Sequence, residues 1–191
     1  GGLYFLFFLI LIFSDKTFNY KMTSLTFSGD SNFKSDENIK NNLLKIFILY
    51  CILSIFILTL LNITGVRLFN SLNLAMTLVS NGGFLPSDNL SDIVSSNYQK
   101  IVIIISLIFS MLNFYFLFNI FDKKKLLKNH HEDFYLLGLV FILTLLIYFN
   151  DLDTLNILIS IISSLANSGL TLITNDNNLS LYFLLITIIG G

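Results

Sequence analysis

Two short runs hold the groups best suited to chemistry, Val79-Ser80-Asn81-Gly82-Gly83-Phe84-Leu85 and Ala166-Asn167-Ser168-Gly169-Leu170. In both, the reagent is the backbone. Glycine takes φ > 0 without a steric penalty, so successive carbonyl oxygens can be turned toward one axis. Oxygens arranged in that way can replace the water shell of a dehydrated cation, potassium first and sodium as the alternative. A short helix leading into such a turn aims the partial negative charge of its C-terminus at the same place. The candidate ion-binding residues are Ser80, Asn81, Gly82 and Gly83 in the first run and Ala166, Asn167, Ser168 and Gly169 in the second. The bland alternative is that these glycines only close turns between helices; their recurrence in one context favours the ion-lining role.

Such turns must be carried by elements, and the elements recur. Shifting the sequence by 86 residues lays Asn70 on Asn156, Leu72 on Leu158, Asn81 on Asn167 and Gly83 on Gly169. Each run follows a twelve-residue apolar stretch, Leu68 to Val79 or Thr154 to Leu165, and leads into a polar loop, Pro86 to Gln99 or Thr171 to Asn178. Twelve helical residues rise roughly 18 Å, about half of a bilayer's hydrocarbon thickness, so each stretch is expected to enter and return rather than cross. Irregular backbone at that depth is tolerated only within protein or along a water-filled cavity. Tandem units of span, half-helix, glycine turn and span are what a pore lined by re-entrant loops requires.

Other reactive groups are sparse. His130-His131-Glu132-Asp133 has metal-ligand chemistry but sits beside Lys123, Lys124, Lys125 and Lys128. Adjacent histidines on a helix diverge, and no cysteine or second histidine pair supports them, so a solvated charged loop is expected. No apolar segment carries Asp, Glu or His near its middle, which leaves a proton relay without residues. There is no nucleophile–base constellation and no phosphate loop, so no catalytic residue and no enzyme is expected. Asn113 could line a pore or bond between helices. Cys51, the single cysteine, reads as an inert thiol in an apolar span.

The chain around these groups reads as a membrane protein. Of its 191 residues 54% are hydrophobic and 12% charged, about half the charged fraction of ordinary soluble domains, and mean hydropathy is +0.78. Net charge is −1 and no basic cluster is interleaved with aromatics, so nucleic acid is not an expected partner. Leu3 to Phe13 lacks a basic start and a cleavage site and reads as half of a span rather than a signal peptide. With no Met at position 1 and an abrupt Gly190-Gly191 end, the chain reads as an internal piece of something longer. Leu43 to Leu61, Ile101 to Phe121 and Phe134 to Phe149 are expected to span, and a last span begins at Leu179. Asn62 to Arg67 forms a turn containing Gly65, and Asn150 to Asp153 caps the second half-helix. Nine of the eleven basic residues lie within 14–45 and 122–133; the other side keeps Arg67 and Lys100 against Asp88, Asp92, Asp151, Asp153 and Asp176. That asymmetry orients the lysine-rich loops to the cytoplasm and both glycine turns outward, beneath a mildly negative vestibule.

These motifs resemble those of the Trk/Ktr/HKT superfamily of potassium transporters. A filter of that family reads like Ser-Thr-Gly-Gly-Phe after a glycine turn and a phenylalanine-containing pore helix. Here Gly65-Val66-Arg67-Leu68-Phe69-Asn70-Ser71 is followed by Ser80-Asn81-Gly82-Gly83-Phe84. Asn113-Phe114 is similar to an Asn-Phe pair in the next span, and Glu132-Asp133-Phe134-Tyr135 to the acidic, aromatic opening of the next repeat. Ala166-Asn167-Ser168-Gly169-Leu170 resembles a filter of the form Thr-Thr-Thr-Gly-Phe, and Gly1-Gly2 and Gly190-Gly191 the family's Gly-Gly pairs in closing helices. The sequence departs at Asn81, usually threonine, at Ala166 and Asn167, usually hydroxyl residues, at Leu170 for phenylalanine, and at Asn70 where aspartate is common.

The resemblance implies an all-α, polytopic integral membrane protein, potassium-channel-like, with four tandem repeats of outer helix, re-entrant pore helix and inner helix around one pore. Residues 1–14 would end the inner helix of repeat one and 15–42 form a cytoplasmic loop. Residues 43–121 would be repeat two, with pore helix 68–79, filter 80–84 and inner helix 101–121. After a second cytoplasmic loop, 122–133, residues 134–191 would hold an incomplete repeat three, with pore helix 154–165, filter 166–170 and an inner helix from 179. It also implies a multi-pass protein of the cell (inner) membrane, among lipid, as a homodimer on a cytosolic nucleotide-binding regulatory ring. The expected function is passive potassium uptake driven by the membrane potential. One rival is a secondary transporter of another family with broken helices, which would prefer inverted repeats, whereas these two copies share an orientation. Another is a membrane assembly subunit without transport, which sparse packing between the two half-helices would favour.

Overall fold

The computed structural model describes residues 39–112, 116–117, 131–147, 153–173 and 177–190. These form α1 (Ile39–Ile63), α2 (Leu68–Ser80), a 3-10 turn (Leu90–Asp92), α3 (Asn97–Met111), α4 (His131–Ile147), α5 (Thr154–Leu165) and α6 (Asn177–Gly190). No strand occurs among the described residues, so the all-helical expectation holds for them. The chain divides into two compact units, residues 1–51 with 113–129 and residues 52–112 with 130–191. The second unit contains both glycine turns, and its helices come from both copies of the repeat.

α5 is the centre of that unit, packing against α3, α4 and α6, while α2 packs against α3. Ile157 and every residue from Ile159 to Leu165 are buried. A helix apolar on all sides needs cover on all sides. Its serines are accommodated because they bond back along the helix: Ser160 Oγ donates to Asn156 O at 3.0 Å and Ser164 Oγ to Ser160 O at 2.7 Å. The neighbouring helices bury single stripes instead. Ser71, Leu74, Ala75, Leu78 and Val79 line one side of α2, and Gln99, Val102, Ile103, Ser106 and Leu107 one side of α3. Both sets follow the i, i+3, i+4, i+7, i+8 spacing of one helical face.

Large apolar side chains are also exposed. Leu68, Phe69, Leu72 and Met76 of α2 are exposed, as are Phe141, Ile142 and Leu145 of α4 and Leu181, Leu184, Leu185 and Ile188 of α6. Among the described residues, nevertheless, no helix is long and apolar enough to cross a membrane. The longest, α1, has 25 residues, but Lys40, Asn41, Asn42 and Lys45 occupy its first turns. The remaining apolar run, Ile46 to Leu61, rises roughly 24 Å against a hydrocarbon core of about 30 Å.

Three boundaries differ from those expected. The expected span Ile101 to Phe121 is not one continuous helix: α3 starts at Asn97 and ends at Met111, Leu112 is extended at φ −74°, ψ 147°, and of the span's residues beyond it only Phe116 and Leu117, both helical, are described. The early start comes from a capping box: Gln99 N–H donates to Ser96 Oγ at 3.3 Å, and Ser96 N–H to Gln99 Oε1 at 3.2 Å. Near the end, Ser106 and Ser110 donate back to Val102 O and Leu107 O, a competition that weakens a helix. The charged loop expected through Asp133 ends sooner, since the described residues from His131 on are helical and Asp133 is buried. The loop expected from Pro86 to Gln99 holds the 3-10 turn, with Leu90 and Val94 buried. Residues 1–14, the loop at 122–130, the pair Asn113-Phe114 and most of the loop at 15–42 lie outside the described residues.

Candidate functional site

The two glycine turns share one backbone conformation. Asn81 and Asn167 have φ of 52° and 55°, and Gly83 and Gly169 have φ of 70° and 71°. Both pairs keep the 86-residue offset read from the sequence (81 to 167, 83 to 169). Among the described residues these asparagines are the only non-glycines with positive φ. Each turn also closes its helix with the same six-residue bond: Gly82 N–H donates to Thr77 O at 3.0 Å, and Ser168 N–H to Ser163 O at 2.9 Å. This is the Schellman closure, with asparagine as the left-handed residue. Asparagine tolerates that region because its short polar side chain can bond locally.

The side chains then finish the turns differently. Asn81 is tied to α3: its Nδ2 donates to Ser110 O at 3.3 Å, and Ser110 Oγ donates to its Oδ1 at 3.0 Å. The Asn81 amide therefore anchors the first turn to the scaffold. Ser80 Oγ donates back to Met76 O at 2.7 Å. In the second turn Ser168 is buried, with its hydroxyl 2.9 Å from that of Ser163 and 3.4 Å from Ser163 O. The repeat partners of this serine pair are Thr77 and Gly82. Gly82 has no hydroxyl, and Thr77 Oγ1 is buried without a hydrogen-bond partner. Ala166 is half-buried, and Asn167, Gly82 and Gly169 are exposed. After the glycines the copies diverge again, since Phe84 is 84% exposed and Leu170 1%.

The turns meet. A Cβ on Gly83 would collide with the carbonyl oxygen of Ser168, so the glycine of one turn lies directly on the backbone of the other. A Cβ on Gly169 would have nothing within 4 Å. Gly190 of α6 likewise lies on the Leu165 backbone, where a Cβ would collide with the carbonyl, so α6 passes closely over the end of α5.

Two ties hold the other ends of these helices. Gln99 Nε2 donates to Thr64 O at 3.2 Å, joining the start of α3 to the turn before α2. Lys100 Nζ lies 3.0 Å from Asp153 Oδ2 and joins α3 to the start of α5. Asp153 is thus the N-cap of α5 by position only: its carbonyl accepts from Asn156 and Ile157 N–H, but its side chain makes no capping bond. A cation at hydrogen-bond distance competes for a carboxylate better than a backbone amide does, so the expected side-chain cap is replaced by an ion pair. Asn150 and Asp151, the other polar residues of the expected cap, lie outside the described residues.

The structure brings together residues from both predicted runs, Gly83 and Ser168 above all. Thr77, Ser110 and Ser163 are not among the residues the sequence singles out. Thr77 and Ser163 carry a usable signal, two hydroxyl residues at the repeat offset of 86; Ser110 carries none. Among the described residues no group of His, Cys, Asp or Glu could hold a metal ion. A groove of about 210 Å³ between α4 and α5, lined by Thr144, Leu145, Thr154, Ile157 and Leu158, is apolar apart from its two hydroxyls. Comparison with known protein families, with curated proteins and with solved structures gives no match to this chain.

Proposed function

We propose that this chain is part of a multi-pass protein of the cell (inner) membrane that takes up potassium through a path lined by the carbonyls of its two glycine turns. One observation carries the reading: two turns with the same left-handed asparagine and positive-φ glycine touch each other at Gly83 and Ser168. Left-handed closures end many helices, but loops that merely connect helices have no need to repeat the same closure and then abut. The membrane part of the proposal draws on the large apolar side chains exposed on α2, α4 and α6, Leu68, Phe69, Phe141, Ile142, Leu184 and Leu185 among them. Sodium is the alternative ion. A homodimer and a cytosolic nucleotide-binding ring on the lysine-rich side are the proposed partners.

A second reading, a membrane assembly subunit without transport, draws on a different observation. α2 and α5 are not among the helix pairs that pack most extensively; each leans on α3 instead. The two readings part on ion selectivity. In the complete protein, expressed in cells lacking their own potassium uptake, Gly83→Ser and Gly169→Ser are expected to lower the rubidium-to-sodium uptake ratio about tenfold, the weight of roughly 1.4 kcal/mol. Gly138→Ser, exposed on α4 with nothing within 4 Å of its Cβ position, is expected to leave the ratio unchanged. Unchanged ratios in both turn variants at normal protein levels would remove the conduction reading and leave the assembly subunit.

A further inference from the structure

Ser168 differs from the rest of the two turns in how completely its polar atoms are engaged. Its N–H donates to Ser163 O at 2.9 Å, its hydroxyl lies 2.9 Å from Ser163 Oγ, and its carbonyl oxygen stands where a Cβ of Gly83 would have to go. Its repeat partner Gly82 is exposed and has no side chain, which leaves Thr77 Oγ1 buried without a partner. The first turn therefore lacks the internal lock that the second possesses. It is held from outside, by Asn81 on Ser110 and by Gly83 against the Ser168 carbonyl.

We infer that Ser168 is a positioning residue: its hydroxyl, held by Ser163, fixes the carbonyl on which Gly83 rests, so the second turn sets the ion preference of the first. The inference rests on the proposed conduction path. Its physical basis is that the Ser168 residue is constrained on both sides of its Cα. The hydroxyl and N–H bind the end of α5, a helix buried on every side, and the carbonyl meets a glycine that has no side chain to yield. Loss of the hydroxyl bond loosens the carbonyl, while the Ser168 N–H bond to Ser163 O and the backbone carbonyls of the path remain.

The repeat itself supplies the variants. Ser168→Gly installs the residue the first turn uses at this position, and Ser163→Thr installs the first turn's hydroxyl residue. In the complete protein, Ser168→Gly and Ser163→Ala are each expected to lower the rubidium-to-sodium uptake ratio roughly fivefold, the equilibrium weight of one ordinary hydrogen bond. The double variant should be no worse than Ser168→Gly alone, because the bond between the two hydroxyls is already lost there and Ser163→Ala spares only the 3.4 Å contact of Ser168 Oγ with Ser163 O. Ser163→Thr should keep the wild-type ratio. A wild-type ratio in Ser168→Gly and Ser163→Ala while Gly83→Ser alters it would overturn the inference alone, as would additive losses in the double variant. A wild-type ratio in Gly83→Ser and Gly169→Ser as well would remove the conduction path and this inference with it.

Discussion

Asn81 meets two demands at once, a backbone angle of 52° and a reciprocal pair of hydrogen bonds to Ser110 on α3. Substitutions separate the two. Asn81→Gly keeps the angle accessible and removes the side-chain bonds, for an expected loss of about 1 kcal/mol. Asn81→Ala removes the bonds and also opposes the left-handed angle, adding about 1–2 kcal/mol. Thermal unfolding in detergent should therefore rank wild type above Asn81→Gly and Asn81→Ala last. Equal midpoints for the two variants would mean that the backbone angle at this position carries no cost. Gly83 and Gly169 have nearly the same φ but unequal surroundings, one against a carbonyl and one in open space. A methyl group at residue 83 meets both strain and collision, while at residue 169 it meets strain alone.

At the scale of elements, glycines in two helices predict changes of opposite sign. Gly190 lets α6 lie on the Leu165 backbone at the end of α5. Gly190→Ala forces the helices apart and should cost about 1–3 kcal/mol, the range for overpacking. Gly138 in α4 is exposed with nothing near its Cβ position, so Gly138→Ala should gain up to about 1 kcal/mol from helix propensity. A Gly190→Ala midpoint at or above that of the wild type would show that α6 does not bear on α5 as described. The contact matters for the site because Leu165 is the last residue of α5, immediately before the turn that carries Ser168. α3 serves the other turn in a parallel way, tied to Thr64 by Gln99 at its start and to Asn81 by Ser110 near its end.

For the whole molecule the question is orientation, and the charges supply the test. Asp88 and Asp92 share the loop after the first turn, and the Lys100–Asp153 pair lies at the starts of α3 and α5. The lysines at 123–125 and 128 belong, on the proposed topology, to the opposite side. In a Cys51→Ser background of the complete protein, a cysteine at Asp88 should react with a membrane-impermeant thiol reagent on intact cells. A cysteine at Lys124 should react only after permeabilisation. Equal labelling of both on intact cells would reverse or abolish the orientation, and with it an outward-facing filter.

Local backbone features are legible along the chain. Asparagine and glycine recur 86 residues apart where the chain must turn left-handed, and both copies adopt φ values within a few degrees of each other. The half-helices are legible for the same reason: Leu68–Ser80 and Thr154–Leu165 match the apolar runs, extended by one residue in the first. Side-chain size and backbone freedom belong to the residue itself, so they can be read along the chain. Tertiary structure alone decided that Gly83 rests on Ser168, that Asn81 bonds Ser110 across 29 residues, and that Asp153 pairs with Lys100 across 53. It also decided that α3 ends at Met111 and that Asp133 is buried rather than solvated. These features depend on which helices pack around α5, and residues far apart in the chain acquire partners only when that core has formed.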